Sequence, residues 1–286
     1  MSHSAPDGDQ LSLWVGRTET LTDLIEPGRA SAMSATLDLP SAPVQGDALP
    51  PLWHWAYFWS ASPASLIGHD GHPQRGGFLP PVALPRRLWA GSRVSFLAPL
   101  PIGASAVRTS LIKAVNVKQG KSGPLVFVTV AHEIAVDGVP VIRDEHDIVY
   151  REPPQPGDAP PAATRAPVDA QWSRQIVPDP VLLFRYSALT FNGHRIHYDR
   201  PYATAIEGYP GLIVHGPLVA TLLIGLVGQA LPDRTIASFS FRAASPLFDI
   251  EPFSIHGRLQ EDGRRVSLWA ANARGELAMQ AEANLA

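Results

Sequence analysis

The sequence predicts an α+β fold in which two antiparallel sheets each wrap around a central helix. Three observations point to it. The segment Leu218–Leu231 is apolar almost all round, with Gln229 the main polar interruption. A helix that is hydrophobic on every side is buried on every side. Runs of alternating apolar residues, parted by glycine-containing turns, occur in both halves of the chain, the period-2 pattern of half-buried strands. Between them, residues 152–166 read EPPQPGDAPPAATRA, a linker of polyproline character. The expected organisation is therefore a first half over 1–151, a linker over 152–166 and a second half over 167–286.

In the first half, Leu11–Ile25 reads as a helix stopped by Pro27-Gly28. Leu52–Trp59, preceded by Pro50-Pro51, reads as a second. Residues 60–85, rich in Gly, His and Pro, form a loop. Strands follow at Arg93–Leu97, Ala106–Lys118, Leu125–Val136 and Val139–Tyr150, with turns at Gly120–Gly123 and Asp137-Gly138. In the second half, Val181–Leu189 reads as a short opening strand and Thr190–Pro210 as a polar, His-rich loop. The apolar segment Ile213–Leu231 comes next. Strands at Thr235–Ala243, Phe253–Glu261, Arg265–Ala271 and Glu276–Ala283 follow, joined by turns at Asp262-Gly263 and Arg274-Gly275. Two such units side by side make a double hotdog; a two-domain α+β protein is the plainer alternative.

Composition narrows the function. The chain has 286 residues, a formal net charge of −3 and no long basic block, so no nucleic-acid partner is expected. Cysteine is absent, which excludes disulfides, thiolate catalysis and Cys-based metal sites. Met1–Gln10 is polar and lacks the features of a signal peptide. The longest uncharged apolar run, Gly216–Pro232, is short for a membrane span. A cytoplasmic protein without a membrane partner is expected. Gly120-Lys121-Ser122 lacks the upstream glycine of a phosphate loop, and neither GxGxxG nor GxSxG occurs. His69, Asp70 and His72 share one Gly/Pro loop, but one short loop rarely closes a metal site.

The chemistry concentrates in Thr190–Leu218, TFNGHRIHYDRPYATAIEGYPGLIVHGPL. His194, His197 and Asp199 there are open to a metal-ligand reading or to that of solvated loop residues. Val214-His215-Gly216-Pro217 places proline at the start of the buried helix. Its orphan N–H groups and dipole favour an anion. Asn192 and His197 lie five residues apart on the loop entering that helix. A neutral base, a water-holding amide and an oxyanion donor together suit proton chemistry beside a carbonyl.

These residues resemble the hydratase motif of the MaoC-type (R)-specific enoyl-CoA hydratases, S-G-D-x-N-P-x-H-x-D followed by a His-Gly-Met helix start. Here the motif runs Thr190 to Asp199 and then His215-Gly216-Pro217. The motif His falls on His197 and the oxyanion Gly on Gly216, while Asn192 replaces the motif Asp. The longer blocks FNGHRIHYDRPYA, EGYPGLIVHGPL, WVGRTET and GGFLPPVALPRRLWAGS are similar to the MaoC-like branch that hydrates mesaconyl-C4-CoA (3-methylfumaryl-CoA) to citramalyl-CoA. They are also similar to the mitochondrial-type 3-hydroxyacyl-thioester dehydratases.

The resemblance implies a double hotdog with one site, carried by the second half, acting on an acyl-CoA thioester without metal or redox cofactor. Asn192, His197 and Gly216 are the implied catalytic residues. Arg195, Arg200, His215, Arg86 and Arg87 are the expected substrate contacts, with Arg143 and Arg242 as further candidates for a substrate carboxylate. Trp53, Trp55, Tyr57, Phe58 and Trp59 fit either plain core or a widened acyl pocket. The competing readings are a dehydratase of fatty acid synthesis, an acyl-CoA thioesterase using Glu207 or Asp199, and a non-catalytic thioester binder. General symmetry arguments also allow a homodimer.

Overall fold

The computed structural model describes residues 8–120, 123–153 and 162–286. It contains one antiparallel sheet of ten strands in the order β1-β3-β4-β5-β2-β7-β10-β9-β8-β6. Counted outward from the β2–β7 pair, the order is 2-5-4-3-1 on one side and 7-10-9-8-6 on the other. Each strand of the second half thus repeats the place of a strand five earlier. The two predicted sheets are joined edge to edge: β2 (Arg86–Phe96) pairs with β7 (Ile236–Ala243) over Gly91↔Arg242 to Ser95↔Ser238.

Most predicted strands appear close to their expected bounds. These are β3 (Ser105–Gly120), β4 (Gly123–Val136), β5 (Val139–Arg151), β8 (Phe253–Leu259), β9 (Arg265–Ala271) and β10 (Leu277–Leu285). Residues 121–122 of the β3–β4 turn lie outside the described residues, as do 1–7 and the linker prolines within 154–161. Residues 162–166 run back along the sheet, where Arg165 bridges Glu276.

Three local expectations are corrected. Leu11–Ile25 is not a helix. A single turn, α1 (Gly8–Ser12), precedes β1 (Thr18–Leu24), whose TETLTDL alternates exposed and half-buried residues. Pro27-Gly28 opens a helix rather than closing one. Glu26 caps α2 (Pro27–Thr36) by accepting from the Gly28 and Arg29 N–H groups, and proline at N1 is preset for a helix. Val181–Leu189 is not a strand but the body of α3 (Pro180–Leu189), where Asp179 Oδ1 accepts from the Leu182 N–H at 2.8 Å. The aromatic segment expected as a helix over Leu52–Trp59 is a 3-10 turn, Trp53–Ala56. The short strand β6 (Trp172–Ile176) had no counterpart in the sequence reading.

The buried helix is α4 (Gly216–Ala230). It lies in the curl of the second five strands, against β6, β7, β8, β9 and β10. Leu218, Ala220, Leu223 and Val227 on it are at most 1% exposed, as its all-round hydrophobicity requires. By contrast, α2 packs on α3. In the first half a polar cluster of Ser92, Ser110, His132, Asp144 and His146 interrupts a sheet face that otherwise buries Val94, Ile112, Val130 and Ile134. Asp144 is buried to 2% exposure. Its carboxylate accepts from Ser92 Oγ at 2.6 Å, Trp55 Nε1 at 2.7 Å, His146 Nε2 at 2.7 Å and His54 Nε2 at 3.2 Å.

Candidate active site

The loop between α3 and α4 carries the predicted residues. Asn192 lies just beyond the end of α3. Its Oδ1 accepts from the His194 N–H at 3.0 Å, an Asx-type turn that aims the chain into the 3-10 turn Arg195–His197. That turn buries His197. Its Nδ1 lies 2.7 Å from the Ile213 carbonyl. A carbonyl only accepts, so Nδ1 carries the hydrogen and Nε2 is the basic nitrogen. Burial lowers its pKa to about 4, so the ring is neutral at physiological pH.

The His197 ring stacks on that of His215, with centroids 3.7 Å apart and planes 18° off parallel. His215 is the N-cap of α4, and no side chain caps that helix. Gly216 follows, half-buried, so the base and the helix tip predicted from sequence do meet. A Cβ on Gly216 would lie 3.9 Å from Met279 Cε and 4.0 Å from the Trp89 carbonyl.

A cleft of about 520 Å³ opens at His194, and Asn192, His197, His215 and Gly216 are not among the residues that line it. Its wall includes Arg75, Arg86, Arg87, His72, His194 and Glu207. His194 stands between the cleft and the base, edge-on to His197 with centroids 5.5 Å apart. His197 itself lies one ring further in.

The first half supplies part of this wall. Gly71 has a φ of +87°, and a Cβ there would meet the Gly193 carbonyl oxygen at 1.8 Å. The approach lets Arg195 N–H reach the Asp70 carbonyl and Arg195 Nη1 the His69 carbonyl, both at 2.9 Å. His72 is thereby set against His194, centroids 4.0 Å apart, while its Nδ1 lies 3.1 Å from Asp70 Oδ2. Burial pushes the Asp70 carboxyl up, but the hydrogen bond and charge of His72 outweigh it and hold it low. Burial takes His194 down to about 2. One donor atom each from Asp70, His72 and His194 lies within 4.8 Å of the others. This grouping, rather than His194, His197 and Asp199, has the geometry to hold a cation. Arg75, Arg86 and Arg87 on the same wall oppose one.

The predicted substrate arginines separate. Arg86 and Arg87 line the cleft, and Arg86 is engaged there by Glu207, donating to its carbonyl at 2.8 Å and lying 3.3 Å from its carboxylate. Arg195 is engaged by Asp199 at 2.7 Å and lies over the Tyr202 ring. Arg200 pairs with buried Asp249 and Arg143 with Glu133. Sequence reasoning missed Ser187, whose Oγ lies 2.8 Å from His215 Nε2. It stood inside the segment misread as a strand.

The model of the hydroxyacyl-thioester dehydratase type 2 family matches residues 52–249. The chain belongs to that family. The mesaconyl-C(4)-CoA hydratase of Chloroflexus aurantiacus is 51% identical to it over 273 residues, covering 95% of this chain and 96% of the relative. The mitochondrial hydroxyacyl-thioester dehydratase type 2 of Schizosaccharomyces pombe is 29% identical over 266 residues, covering 82% and 88%. In fold, the chain is similar to a MaoC-like dehydratase from Phytophthora capsici, with a TM-score of 0.69, 18% identity and 97% and 98% of the two chains covered. A Mycobacterium tuberculosis protein described as having a double hotdog fold matches with a TM-score of 0.54, 14% identity and 99% of each chain. The architecture expected from sequence is thus that of the family. No helix among the described residues is long and apolar enough to cross a membrane.

Burial of neutral imidazoles has a consequence for stability. Burial lowers the pKa of His54, His72, His132, His194, His197 and His215. Each folded-state value lies below the unfolded value of about 6.5, so the unfolded chain binds protons first. The stability tied to these groups is present above pH 6.5 and is lost as pH falls from there toward their folded values. Thermal melts are expected to hold steady from pH 8 to 7 and drop between pH 6.5 and 5. A midpoint unchanged across that range would contradict the neutral assignments.

Proposed function

We propose that the protein is a hydro-lyase that adds water reversibly to mesaconyl-C4-CoA, giving citramalyl-CoA, and that it works in the cytoplasm. The observation that carries the reading is the stack of the His197 ring on the N-cap of α4, in a chain 51% identical to a mesaconyl-C4-CoA hydratase over nearly its full length. The second half of the chain, 167–286, would supply the base and helix tip; the first, 1–151, would supply the opposing wall.

In this reading the thioester oxygen sits at the Gly216 N–H and the water between Asn192 and His197 Nε2. The water oxygen bonds to Cβ as its proton passes to Nε2. The double-bond electrons move onto the thioester oxygen as an enolate. The imidazolium returns a proton to Cα, the enolate collapses to the thioester, and the sum is one added water. A helix N-terminus stabilises that transient anion where it forms. Arg86 and Arg87 on the cleft wall suit the CoA phosphates.

The test is a panel of enoyl-CoA thioesters containing mesaconyl-C4-CoA and crotonyl-CoA. The expected result is loss of conjugated-thioester absorbance and a mass gain of one water, fastest on mesaconyl-C4-CoA, without free thiol. Release of CoA thiol would instead mark a thioesterase, and bound but unchanged substrate a non-catalytic binder.

A further inference from the structure

One buried group near the helix tip has no partner. His215 is 1% exposed. Its Nε2 is held by Ser187 Oγ at 2.8 Å, and its Nδ1 makes no hydrogen bond. Burying a polar atom without a partner forfeits its hydration with no compensating bond, so this atom calls for an explanation.

The tautomer follows from counting such groups. If Nε2–H donated to Ser187, the serine hydrogen and the Nδ1 lone pair would both go unsatisfied. If Ser187 donates to Nε2, a single orphan remains, the Nδ1–H. The second arrangement leaves fewer unsatisfied groups. Covalent geometry keeps Nδ1, on the ring carbon next to Cβ, within about 3–5 Å of the Gly216 N–H. An α-helix leaves its first N–H groups without an intrahelical partner, so the Gly216 N–H and the His215 Nδ1–H stand together at the amino end of a 15-residue helix, beside the His197 ring. No acidic side chain lies in the first turn of that helix. An unfilled pair of donors at a helix N-terminus is a place for an anionic oxygen.

We propose that the His215 Nδ1–H is a catalytic hydrogen-bond donor, the second, with Gly216 N–H, for the enolate oxygen of the thioester. The assignment rests on the hydratase reading and adds to it a group that holds charge without moving a proton. The ring keeps its hydrogen throughout. Its orphan donor in the empty site is satisfied when the oxygen arrives, so the cost of leaving it unpaired is relieved as negative charge develops.

Two variants separate this role from a packing role. In His215→Asn, a side-chain amide nitrogen takes the place of Nδ1; in His215→Leu, no donor remains. With mesaconyl-C4-CoA, His215→Leu is expected to lose about 100- to 1000-fold in kcat, as for other lost oxyanion donors, with KM changed far less. His215→Asn is expected to stay within about tenfold of the parent. Infrared spectra of bound butyryl-CoA labelled with 13C at the thioester carbonyl give a second readout. The carbonyl stretch is expected lower in the parent and His215→Asn than in His215→Leu.

The proposal is overturned if His215→Asn is as slow as His215→Leu, or if the stretch is the same in all three. Should His215→Leu fail to fold, Ser187→Ala releases the tautomer. It is then expected to raise the stretch and lower kcat, and a parent-like Ser187→Ala overturns the proposal. A parent enzyme that hydrates no enoyl thioester would count against the hydratase reading, while the butyryl-CoA spectra would still test the donor.

Discussion

His197→Ala is expected to lower kcat on mesaconyl-C4-CoA by roughly 10²- to 10⁴-fold, the usual contribution of a positioned general base. The ring is prepared for that role by three features. The Ile213 carbonyl holds the hydrogen on Nδ1 and so leaves Nε2 basic. Burial holds the pKa near 4, so no proton must be removed before reaction. The stack on His215 fixes the ring plane against the helix tip. Conjugated-thioester absorbance followed at saturating substrate measures the effect. Turnover near the parent rate would remove His197 from the mechanism. Asn192→Ala should cost less, because Asn192 caps a turn and, in the proposed mechanism, would orient water without exchanging a proton.

Asp144→Ala carries the largest expected loss of stability, about 3–5 kcal/mol, the range for breaking a buried charge network on one side. Four donors from β2, β5 and the Trp53–Ala56 turn converge on this carboxylate. Removing it leaves them buried without an acceptor. Burial alone would raise its pKa. The charge of His146 and the hydrogen bonds from His146 and His54 overcome this and hold it well below the usual carboxylate value. Its stabilising contribution is therefore complete above about pH 4 and lost only as pH falls through the depressed value. Urea unfolding at pH 7.5 measures the loss. A midpoint matching the parent would mean that the network contributes nothing net.

Local pattern made most of the sheet legible. The alternation in β3, β4, β5 and β7 to β10, and the Asp-Gly turns, are short-range signals. The all-round apolar run of α4 forced its burial. The errors fell where one signal supports two readings. The apolar run VLLFRYSAL fits a buried strand or a helix, and the Asp179-Pro180 cap that decides it went unused. Pro27-Gly28 reads as a stop until Glu26 is recognised as a cap. In β1, alternating Thr and Leu was passed over for a longer helix. At the site, the loop TFNGHRIHYD and the Val214–Pro217 helix start are short-range signals, and the singling out of His197 and Gly216 within them rests on the resemblance to the hydratase motif. The contribution of Asp70 and His72 to the wall has no such signal, because it depends on two glycine-containing loops meeting more than a hundred residues apart in sequence. Likewise, His215 was read as a substrate contact without its Ser187 partner.

Because β2 and β7 belong to one polypeptide, dilution cannot part the two five-stranded units, and mass action has no hold on their pairing. Covalent linkage also frees the repeats to diverge. Where β5 turns Asp144 and His146 inward, the matching strand β10 turns Ala281 and Ala283, each at most 6% exposed. A pair of identical subunits would have to place every charge twice, whereas here one unit keeps an apolar lining for its helix and the other sets a buried polar cluster within its core.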